Sequence, residues 1–155
     1  MKRNCIVFAC LALVGAALIS YGLSAPLVTV PVVGAVRFSE NILGGAPTAR
    51  CLSGALIVGA VLLGLGGRAA CIGSLIGTLA LGALGGILLS VHRHAMDQVM
   101  QVADLGDGKM DEGVAKLLAQ MQYGVGTHCF VIGGMIILVA IAASLFSGHR
   151  RTAGA

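Results

Sequence analysis

The side chains best suited to chemistry lie at two neighbouring places in the chain: His92 and His94 close one apolar run, and His128 and Cys129 open the next. Imidazoles and thiols are transition-metal donors, usually four around a tetrahedral ion. Two features oppose that use. Arg93 stands between two of the would-be ligands and repels a cation, and residues two apart point to different sides of a helix. Capping of helix ends at a membrane surface is the expected role. The stretch from Asp104 to Glu112 suggests calcium, which takes oxygen ligands at alternating loop positions. Gly106 and Gly108 occupy the second and third ligand positions, so no calcium site is expected. No histidine falls in the middle of an apolar run, which leaves a haem without ligands. No nucleophile has a base beside it. The sequence therefore predicts a non-enzymatic protein with no cofactor and no metal.

The five cysteines contain no Cys-x-x-Cys pair. Cys5, Cys10 and Cys71 belong to the half assigned below to the cytoplasm, where thiols stay reduced. Cys51 and Cys129 each begin a helix on the opposite face. They could form a disulfide joining the second and fourth helices if their α-carbons come within ~7 Å.

These groups must be positioned by membrane helices. The chain has 155 residues, 57% hydrophobic and 10% charged, and a mean hydropathy of +0.98. Soluble domains carry about 25% charged residues, so this chain cannot build a wettable shell. At about 20 residues per crossing there is room for four crossings and two connections. A large soluble catalytic lobe is excluded, and so is nucleic-acid binding through a basic face. We expect an all-α, four-helix transmembrane bundle forming a single integral membrane domain, 1–155, with helices at about 5–24, 51–66, 69–91 and 128–147. The first run could be a signal peptide, but Leu23-Ser24-Ala25 puts a large residue where cleavage wants a small one and Pro26 would follow the cut. It is expected to be retained. Gly66-Gly67-Arg68 should fold the long middle region into a hairpin.

Four crossings put Lys2, Arg3, Arg68, Arg150 and Arg151 on one side with no acid, and the other five basic residues on the opposite side with all six acids. Short basic loops mark the cytoplasm, so both termini are expected there, in a bacterial inner membrane. Two periplasmic segments follow, 25–50 and 92–127. The first holds all three prolines and the β-branched run Val28 to Val33, which favours extended chain. In the second, Met96, Val99, Met100 and Ala103, then Val114, Leu117, Leu118 and Met121, recur at helical spacing, predicting two short amphipathic helices. Met96, Met100, Leu117, Leu118 and Met121 are candidate periplasmic contacts, because methionine adapts to a partner's shape.

Small residues recur along the third helix as Ala69, Gly73, Gly77 and then Thr78, Gly82, Gly86, Ser90, in the manner of a glycine zipper. In lipid, helices associate by close backbone approach and by hydrogen bonds such as Thr78 could supply. Gly73, Gly77, Gly82 and Gly86 are therefore candidate packing or partner residues. Most should pack the bundle itself, leaving one stripe for a second membrane protein or a second copy.

Gly22-Leu23-Ser24-Ala25-Pro26-Leu27-Val28-Thr29 resembles the exit from the first helix in the paraquat-inducible protein A family of bacterial inner-membrane proteins. Gly124-Val125-Gly126 with Phe130 is similar to that family's lead into its last helix, and Ala95-Met96-Asp97-Gln98-Val99 to an internal segment. The resemblance implies four helices and an accessory role beside envelope lipid-transport partners. The expected function is binding of another membrane or envelope protein, as an accessory subunit or as an immunity protein against a secreted membrane-acting toxin. The alternative is a small homo-oligomeric channel or transporter using Ser53, Ser74, Thr78 and Ser144. Membrane lipids and no nucleic acid complete the expected partners.

Overall fold

The computed structural model describes residues 2–30, 34–37, 45–104 and 122–152. Its elements run α1 (Lys2–Ser24), β1 (Pro26–Val30), β2 (Gly34–Arg37), α2 (Gly45–Leu65), α3 (Gly67–Asp104), β3 (Gln122–Tyr123) and α4 (Val125–Thr152). Each helix contains a stretch long and apolar enough to cross a membrane: Cys5–Ser24, Pro47–Leu65, Gly67–Ser90 and Val125–Phe146. Only 22–33% of each such window is buried inside the protein, and Leu65, Leu79 and Phe146 point outward. Soluble monomers rarely expose apolar surface so continuously. Lipid must cover these faces, and the chain is a multi-pass membrane protein.

α1 is the centre of the bundle. Ala12, Ala16, Ile19 and Leu23 form one buried stripe along it, and it packs on α2 at one side and α4 at the other, while α3 packs on α2. The order across the bundle is thus α3, α2, α1, α4, and α3 meets α4 only slightly. α1 and α4 run antiparallel, since Gly15 lies against Gly133 and Gly22 against Gly126. The hairpin between α2 and α3 turns at Gly66 and Gly67, whose φ angles of 73° and 59° suit glycine and few other residues. A side chain on Gly66 would touch Cys5, so this turn sits beside the start of α1.

At the opposite end, Pro26–Val30 is extended, as the β-branched composition from Val28 predicts, and forms the middle strand of a three-stranded antiparallel sheet ordered β2-β1-β3, residues 31–33 lying outside the described residues. Thr29 pairs with Ala35 on one side and Gln122 on the other. The register slips between Pro26 and Val28. Strand neighbours normally alternate faces, and this irregularity lets Leu27 and Val28 both be buried. The sheet is an addition to the expected all-helical architecture.

Boundaries also differ from expectation: α1 begins at Lys2 rather than residue 5, α4 runs Val125–Thr152 rather than 128–147, and two others differ most. α2 begins at Gly45, six residues early, because Pro47 falls in a first turn, where proline costs no backbone hydrogen bond. α3 does not stop at residue 91 but continues to Asp104. The predicted separate helix around Met96 to Ala103 is its continuation: no glycine or proline interrupts residues 90–104, and leaving the hydrocarbon does not end a helix. The second predicted amphipathic helix, Val114 to Met121, lies outside the described residues.

Candidate functional site

Glycines decide where backbones meet, and they sort into two groups. Inside the bundle, a Cβ on Gly73 would lie 2.6 Å from the Gly59 carbonyl oxygen and 2.8 Å from Leu62 Cβ, which locks α3 onto α2. A Cβ on Gly77 would lie 3.2 Å from Ile141. Gly15 and Gly133 face each other so closely that a Cβ on either would lie 2.7 Å from the other's carbonyl oxygen. In contrast, a Cβ on Gly82, Gly85 or Gly86 would meet nothing within 4 Å. The four candidate glycines of α3 therefore divide, with Gly73 and Gly77 used within the bundle and Gly82 and Gly86 turned away from it.

The hydroxyl expected to bond between helices, that of Thr78, is turned back on its own helix, and so is that of Ser74. Thr78 Oγ1 donates to the Ser74 carbonyl and Ser74 Oγ to the Cys71 carbonyl, each at 2.8 Å. Thr78 thus spends its proton locally, as serine and threonine commonly do in helices. Close backbone approach at Gly59 and Gly73, beside Leu62 and Leu63, brings α3 and α2 together.

A second constellation joins the end of α1 to the start of α4. The Leu27 carbonyl accepts the Gly124 N–H at 2.8 Å and the Thr127 hydroxyl at 2.6 Å. The His128 Nδ1–H donates to the Gly124 carbonyl at 3.0 Å. A Cβ on Gly126 would lie within 3.0 Å of the Gly22, Ala25 and Pro26 carbonyl oxygens, and one on Gly124 would collide with the Pro26 carbonyl. Gly22 reciprocates against Gly126, Cys129 and Phe130. Two of the three quoted stretches, around Gly22 and Gly124, thus meet in space. The sequence signal was a Gly-x-Gly-Thr at a helix start, whose bare backbone and hydroxyl can seat a neighbouring strand.

Cys51 is exposed on α2 and Cys129 half-buried on α4, both as free thiols. Met96 and Met100 lie on the projecting part of α3; Leu117, Leu118 and Met121 lie outside the described residues. Among the described residues, no three His, Cys, Asp or Glu side chains converge as metal ligands would.

Because α3 and α4 barely touch, a groove of about 250 Å³ opens between them, lined by Leu81, Gly85 and Leu88 on one wall and Phe130, Gly134 and Leu138 on the other. Sequence reasoning missed it, since Gly85 falls off both glycine stripes. Compared with known proteins, the chain matches no family model, no curated protein and no solved structure.

Proposed function

We propose that this chain is a non-enzymatic bacterial inner-membrane protein that binds another membrane or envelope protein, either as an accessory subunit or as an immunity protein against a secreted membrane-acting toxin. Two unused positions carry this conclusion. Gly82 and Gly86, one helical turn apart on α3, leave a notch that no part of the described chain fills. In lipid, such a notch allows a second helix to approach closely enough for backbone contact. The charge distribution supports termini in the cytoplasm, with the sheet and the projecting end of α3 in the periplasm, where Met96 and Met100 reach a partner together with Leu117, Leu118 and Met121.

Cross-linking in native membranes followed by mass spectrometry tests the proposal. Gly82→Leu and Gly86→Leu should lose the cross-linked partner while the purified variants keep wild-type thermal stability, because neither side chain would enter the bundle. Retention of the partner by both variants sinks the reading. A toxin gene alongside favours immunity; an envelope-transport operon favours the accessory role. Robust ion flux from purified protein in liposomes would replace both with the homo-oligomeric channel.

A further inference from the structure

Five of the seven basic residues carried by the four helices gather at the end of the bundle away from the sheet. Gly66 lies against Cys5, which puts the turn between α2 and α3, and Arg68 with it, beside the start of α1. Gly15 meets Gly133 and Gly22 meets Gly126, so seven residues forward on α1 match seven back on α4. Carried to the start of α1, that register sets Lys2 level with Phe146 and leaves Arg150 and Arg151 just beyond it. With the helices ordered α3, α2, α1, α4, the cations form a row: Arg68, then Lys2 and Arg3, then Arg150 and Arg151. The only acids on the helices are Asp97 and Asp104, on the projecting part of α3 at the opposite end.

The depth of the row selects its partner. A bilayer is about 40–45 Å thick around a ~30 Å hydrocarbon core, so each headgroup layer is about 5–8 Å deep. The apolar spans begin at Cys5 and Gly67 and end at Phe146. At 1.5 Å rise per residue, Lys2 and Arg3 stand about 3–5 Å beyond their span, Arg68 at the edge of its own, and Arg150 and Arg151 about 6–8 Å beyond theirs. All five positions fall at the level of the headgroups, where lipid phosphates lie. Neighbouring helix axes stand about 8–10 Å apart, comparable to the ~8 Å screening length at physiological ionic strength. The cations therefore repel one another along the row, and the described helices offer no anion at this end. We infer that this end of the bundle binds the phosphodiester headgroup of an anionic phospholipid, with the exposed Arg68 as one contact. The site is separate from the notch at Gly82 and Gly86.

Native mass spectrometry of the full chain, reconstituted in vesicles of equal parts phosphatidylcholine and phosphatidylglycerol and extracted in mild detergent, tests this. Loss of one cation beside a membrane weakens attraction to an anionic surface by about fivefold. Wild type should retain phosphatidylglycerol over phosphatidylcholine by at least that factor, and Arg68→Gln should lower its retention by about fivefold. Arg150→Gln combined with Arg151→Gln repeats the test away from the hairpin turn and should lower it further. Arg68→Lys should keep the lipid, and so should Arg50→Gln at the opposite end. Equal retention of the two lipids by wild type, or a loss in Arg50→Gln matching that in Arg68→Gln, overturns the inference. So does release of the lipid by millimolar inorganic phosphate, which would mark a site for the free anion.

Discussion

Adding one methyl group to Gly133 should force α1 and α4 apart. The new carbon would lie 2.7 Å from the Gly15 carbonyl oxygen, 2.9 Å from Ile19 Cγ1 and 3.2 Å from Leu18 Cβ. Ordinary contact begins near 3.4 Å, so the helices must separate by about 0.7 Å along that line. A radial gap of about 0.5–1 Å already forfeits a quarter to a half of the dispersion attraction between facing atoms. The closest obstacle is backbone, which cannot rotate away as a side chain can. Overpacking of this kind costs about 1–3 kcal/mol. Gly15→Ala should cost a similar amount, because its Cβ meets the Gly133 carbonyl at the same distance. The double variant should cost less than the two singles together, since one separation relieves both clashes. Gly86→Ala is the control: it meets nothing, and alanine is the better helix former by about 1 kcal/mol in water. Reversible unfolding in mixed micelles reads the differences directly. If Gly133→Ala unfolds together with Gly86→Ala, the close approach of α1 and α4 is wrong, and with it the order of helices across the bundle.

Thr127→Val removes the hydroxyl that bonds the Leu27 carbonyl and should cost about 1 kcal/mol, measured by the same unfolding assay, with Thr127→Ser close to wild type. Gly124→Ala should open the junction between β1 and α4, seen as faster amide exchange across 26–30 at temperatures where the helices stay protected. Spin labels at positions 90 and 104 should report one narrow distance of about 21 Å, the length of a straight helix between them. A broad distribution there would show that α3 breaks where the apolar run ends.

The four crossings were legible because hydrocarbon demands long apolar helices, and the hairpin because Gly66-Gly67 interrupts a region too long for one span. Extended chain at Val28 to Val30 was legible from β-branching. Its pairing was not: Gln122-Tyr123 is two residues long and distant in sequence, and nothing in its composition marks a strand. The end of α3 was misplaced because hydropathy reports where lipid stops, whereas a helix stops at a breaker, and none occurs before Gly106. The glycines of α3 were legible as a set but not by role. Which of Gly73, Gly77, Gly82 and Gly86 meets a neighbour depends on the order α3, α2, α1, α4, and no spacing rule encodes that order. The groove escaped notice for the same reason, being a gap left where two helices fail to meet.

The unbroken course of α3 has a mechanical consequence. Kinks form at prolines, glycines or inserted turns, and residues 90–104 offer no glycine or proline. The projecting segment is thus a stiff lever about 21 Å long, rooted in a helix that leans on α2 and scarcely on α4. A sideways pull at its tip is carried without a hinge as far as residue 90 and meets its first glycines at Gly86 and Gly85.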